Sequence, residues 1–62
     1  MRIIESEFDE LERRAFTVIL RFLRDEAALP PDTFSGIPFE RRKVVMLAAG
    51  QTYEDQKKAR VN

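Results

Sequence analysis

Apolar residues recur along the first half of the chain at three- and four-residue steps: Phe8, Leu11, Ala15, Val18 and Phe22, with Leu29 one heptad beyond. That period places them on one face of an α-helix. A second stripe, Phe16, Ile19, Leu20, Leu23 and Ala27, lies beside the first and leaves a narrow polar stripe of Glu10, Arg13, Arg14, Thr17, Arg21 and Arg24. Ser6 followed by Asp9, among Glu7, Glu10 and Glu12, reads as a capped helix start with acids at the positive end of the dipole. Asp9–Arg13 and Glu10–Arg14 add acid-first i,i+4 pairs. Pro30-Pro31 supplies a stop, because neither residue can donate a helical N–H. The pattern predicts a first helix over about 6–28.

Residues 30–38 read as a loop with Ser35-Gly36 as its turn, pinned to the core by Phe34, Ile37 and Phe39. Pro38 suits the first turn of a second helix. That helix is expected from about residue 38 to 49, ending at Gly50. Thr52 with Asp55 resembles a new capping box, and Lys57, Lys58 and Arg60 suit the end of a short third helix. The alternative is one helix running through Gly50 at a cost of roughly 1 kcal/mol. A rival reading pairs Arg2-Ile3-Ile4 with Lys43–Leu47 as strands, since Ile and Val favour them.

Charges at the helix ends break the dipole rule locally. Arg41, Arg42 and Lys43 open the second helix and Asp25 and Glu26 close the first. An antiparallel hairpin brings those ends together, and it sets Glu5, Glu7, Asp9, Glu10 and Glu12 opposite Lys57, Lys58 and Arg60. The expected fold is therefore all-α: an antiparallel helical hairpin plus a short C-terminal helix, in one domain over 1–62. The functional alternative for Arg41-Arg42-Lys43 is contact with phosphates or an acidic partner.

Sixty-two residues bury only about 60% of the unfolded surface, so help from oligomerisation or unusually good packing is expected. There is no Cys and no His, which removes disulfides, the usual zinc donors and the commonest general base and activated thiol. Neither a metal nor a cofactor is expected, and the reading is non-enzymatic. Eleven basic residues balance eleven acidic ones, so the global charge of a nucleic-acid binder is missing. The start of the chain has no signal-like apolar stretch and no run is long enough for a bilayer, which makes a cytoplasmic protein the expectation.

Between Ala15 and Leu23 only Thr17 and Arg21 are polar. About two thirds of that circumference is apolar, whereas one neighbouring helix hides a stripe of only about 100°. Val44, Val45, Met46, Leu47, Ala48 and Ala49 add apolar residues pointing in every direction around the second helix. Either a third segment or a second copy must cover the surplus. A homodimeric helical bundle is favoured, with Phe16, Ile19, Leu20 and Leu23 as anchors and Arg13, Arg21 and Arg24 as polar rim. The corresponding function is regulation or adaptation through protein–protein contact.

The run Pro38, Glu40, Arg41, then Leu47-Ala48-Ala49-Gly50 and Thr52 resembles the start of the helix-turn-helix in LuxR-type regulators. The resemblance implies that the segment from Tyr53 onward is a recognition helix, with Lys57, Lys58 and Arg60 near DNA. Gln56 and Lys57 depart from the pattern, standing where Ile and Ala are usual. A small DNA-binding regulator built on residues 38–62 is the alternative function.

Overall fold

In the computed structural model, which describes residues 7–60, two helices pack against each other: α1 (Glu10–Asp25) and α2 (Phe39–Arg60). No strand occurs among the described residues, and Lys43–Leu47 is helical. Arg2-Ile3-Ile4, and Ser6 as a cap, lie outside them. The cap within the described residues is Asp9. Its carboxylate accepts the Glu12 N–H at 2.8 Å, and the Glu12 carboxylate accepts the Asp9 N–H at 3.0 Å. This reciprocal box satisfies two of the amides that a helix start leaves without partners.

The helix does not run on to the prolines. It ends at Asp25, where Glu26 takes a left-handed conformation (φ 54°, ψ 38°). Ala27 N–H then donates to Phe22 O at 3.0 Å and Glu26 N–H to Leu23 O at 3.4 Å. These are the two bonds of a Schellman termination. Pro30 instead lies within the return segment that follows, its carbonyl accepting both the Thr33 N–H and hydroxyl. A turn follows in which Ile37 N–H donates to Phe34 O at 3.0 Å, with Gly36 at φ +82°. A positive φ at the third turn position is what glycine permits without steric cost.

Residues 26–38 carry the chain back along α1. Pro30, Asp32, Thr33 and Ser35 share a hollow with Leu11, Arg14, Ala15 and Val18. A Cβ on Gly36 would meet Leu11 Cδ1 at 3.2 Å. So α2 starts beside the start of α1, where Arg41 pairs with Glu12. Further along, Thr52 and Gln56 share a cleft with Leu20, Arg21 and Arg24. The two helices run in the same sense, which corrects the antiparallel hairpin. The physical reason is the connection. A helical hairpin turns within about 2–5 residues, whereas 26–38 is long enough to retrace α1, about 24 Å for 16 residues.

The expected third helix is also replaced: α2 continues through Gly50 to Arg60 over 22 residues. Thr52 and Asp55 therefore sit inside a helix, with Gln51 Nε2 donating to Asp55 Oδ1 at 3.4 Å. Helix elongation adds a hydrogen bond per residue fixed, and half-buried Thr52 and Tyr53 extend the packed face beyond the glycine.

The core joins Phe8, Ala15, Phe16 and Ile19 to Ile37 and to Val45, Ala48 and Ala49. Phe8 and Phe16 rings meet at 5.8 Å with a 52° tilt, a geometry that suits aromatic quadrupoles. Leu29, Phe34 and Ile37 of the return segment belong to this core or pack against it. Thus much of the surplus apolar circumference of α1 is covered by the connection rather than by a C-terminal helix. Phe39 does not help pin the loop, being 67% exposed.

Candidate apolar docking hollow

The seven residues expected to form an interface on α1 are divided by the fold. Phe16 and Ile19 are buried in the chain's own core, with Ile19 1% exposed. Leu20 is half-buried against that core. Leu23 remains 37% exposed, and Arg13, Arg21 and Arg24 lie on the surface. Arg21 and Arg24 line a cleft of about 420 Å³ between the helices, together with Thr17, Thr52 and Gln56. The cleft contains no carboxylate, so it offers no acid–base pair.

The cations of α2 fall into two separated groups. Lys57, Lys58 and Arg60 are exposed at its far end, about 20 Å from residues 41–43 at ~1.5 Å per residue. Near the start, Arg41 is committed to Glu12: its Nε donates to Oε2 and its Nη2 to Oε1 at 3.1 Å. The guanidinium also lies 5.9 Å from the Phe8 ring centroid. The compensation expected between 41–43 and Asp25 and Glu26 is thus replaced by pairing at the start of α1. Glu12 is buried, at 4% exposure. Hydrogen bonding from Arg41, and then from the Asp9 backbone, holds its carboxyl below the usual range against the opposing effect of desolvation. The same contact raises Arg41. With three hydrogen bonds accepted, the Glu12 carboxylate is held as an anion that joins the two helix starts.

Gly50 lies within a continuous helix, so the turn implied by the resemblance to LuxR-type regulators is not formed. Tyr53 onward prolongs the same helix.

What the fold does gather is an apolar surface on α2. Phe39, Met46 and Leu47 are 67%, 45% and 70% exposed. Positions 39, 43, 46 and 47 follow helical i, i+4, i+7, i+8 spacing, so they share a face. Phe34 joins them from the return segment, and with Arg42 and Lys43 they line a shallow hollow of about 360 Å³. Both rim cations are held in place. Arg42 Nε donates to Ile37 O at 2.8 Å, and Lys43 Nζ stands 5.5 Å from the Phe39 ring centroid. The cause is legible in the packing: α2 buries only the narrow strip of Val45, Ala48 and Ala49, so the other apolar residues of 44–49 must face elsewhere. Phe34, Phe39, Met46 and Leu47 were not singled out as surface residues by periodicity. The unbroken run from Val44 to Ala49 was the signal available.

Among the described residues there is no group of three or more His, Cys, Asp or Glu placed to hold a metal ion, and no helix long and apolar enough to cross a membrane. No family model, curated protein or solved structure matches the chain.

Proposed function

We propose that this chain works by binding another protein through the hollow on α2, as a non-enzymatic adaptor or regulator. The observation that carries the reading is the pair Phe39 and Leu47, two large apolar side chains left about two thirds exposed on one face. Full burial of such side chains contributes about 1.5–3 kcal/mol each. Clustered exposed apolar residues with a polar rim are the usual signature of an interaction site. The interface expected on α1 has lost Phe16 and Ile19 to the core, which moves the reading to α2.

The test compares immobilised wild-type chain with Leu47→Glu and Leu23→Glu in the same extract. Both substitutions are at exposed positions and leave the core intact. A protein held by wild type and Leu23→Glu but lost on Leu47→Glu is the expected result. The same set of proteins on all three would sink the assignment.

A further inference from the structure

Resting on that reading, we propose that the occupant of the hollow is an acidic amphipathic segment of a different protein, with a bulky apolar side chain seated between Phe39 and Leu47 and carboxylates facing Arg42 and Lys43. The charge of the rim decides the chemistry. The hollow is lined by Phe34, Phe39, Met46 and Leu47 with Arg42 and Lys43, and by no acid. Neither cation has an ion-pair partner among the described residues, where the paired cation is Arg41. A partner that covers the hollow desolvates both, and uncompensated desolvation of charge is costly. Carboxylates on the partner remove that cost and add charge-assisted hydrogen bonds.

The same rim disfavours a second copy. A two-fold interface is isologous, so each residue meets its own neighbourhood on the partner copy. Face-to-face pairing through the hollow would crowd two Arg42 and two Lys43 around a dry centre. An anionic bilayer is a poor occupant as well. Surfaces that bind by charge use clusters of roughly four to eight cations, and this rim has Arg42 and Lys43. A helix laid in the hollow fits the spacing: Phe39 to Leu47 spans roughly two turns, about 12 Å, which one helical face with apolar residues at i, i+4 and i+7 matches.

A display library of random peptides of about 14 residues, roughly four helical turns, is selected on the full chain and, in parallel, on Leu47→Glu and on Arg42→Glu/Lys43→Glu. The wild-type pool is expected to be rich in Leu, Phe or Trp at helical spacing and in Asp and Glu, with affinity falling roughly fivefold or more between low and high salt. Charge reversal at the rim should turn the pool basic, and Leu47→Glu should lose enrichment altogether. Apolar winners without charge bias, lost on Leu47→Glu, would overturn the acidic partner while leaving apolar docking standing. No enrichment that depends on Leu47 would overturn both. Light scattering and anionic vesicles complete the test. A concentration-dependent dimer lost in Leu47→Glu, or vesicle binding lost in that variant, assigns the hollow to those occupants instead.

Discussion

The Glu12 carboxylate accepts both Nε and Nη2 of Arg41 across 29 positions of sequence, tying the first turn of α1 to the first turn of α2. The same carboxylate closes the capping box on Asp9. One side chain thus serves local helix initiation and the tertiary arrangement together. Removing it should affect both.

Glu12→Gln is expected to destabilise the chain at neutral pH, with a pH signature. The folded-state pKa of Glu12 lies below its ordinary value of 4.5. Its contribution is therefore full above that value and is lost as pH falls through the lower folded value. Thermal or urea unfolding of wild type and variant at pH 7 and pH 3 checks it. The gap between them should narrow in acid. A gap that stays constant or widens would show that the ion pair is not what the variant removes.

Ile19 is a core residue and Leu23 a surface one, despite their shared stripe. Ile19→Val should cost about 1 kcal/mol and Ile19→Ala about 2–5 kcal/mol. The second loss is enough to unfold a domain of this size. Leu23→Ala should stay within about 1 kcal/mol. Urea unfolding followed by helical circular dichroism reads the order, and equal effects would contradict the division between core and surface.

Glu26 occupies a left-handed position where a side chain costs roughly 1–2 kcal/mol. It also places an anion at the negative end of α1. Glu26→Gly should raise stability by about 0.5–1 kcal/mol after the entropy of glycine is counted. Gly36→Ala should act in the opposite direction, since Gly36 has φ +82° and its added Cβ would press on Leu11.

Gly50→Ala distinguishes a continuous α2 from a helix that stops at the glycine. A Cβ there meets nothing within 4 Å, and alanine inside a helix is favoured over glycine by about 1 kcal/mol. Stability and helicity should both rise. A loss would mean that Gly50 is a left-handed terminator, as a helix-turn-helix would require.

Several features were legible in the residues alone. The three- and four-residue recurrence from Phe8 to Leu23 marks α1, because helical period and apolar burial are local properties of the chain. Pro38 marks the start of α2 within one residue, because its ring suits a helix start and nothing later in a helix. The surplus of apolar circumference was also evident, from Ala15–Leu23 and Val44–Ala49. Glu12 was visible as an acid in the first turn, yet its partner was not, since an ion pair 29 residues apart leaves no periodic trace.

The sense of the second helix was decided only by tertiary structure. Charges at the helix ends can be compensated in either arrangement: Arg41 could have met Asp25 or Glu12. The choice depends on whether Leu29, Phe34 and Ile37 bury more apolar surface by retracing α1 than by turning at its end, a comparison of packings between distant residues. The face of α2 was decided the same way. A run apolar on every side carries no preference for which residues go inward, so the small side chains Ala48 and Ala49 could meet α1 and leave Phe39, Met46 and Leu47 outside only once α1 had a fixed position. Local pattern determined the helices; the long connection and the close fit of small residues determined which apolar surface was left for a partner.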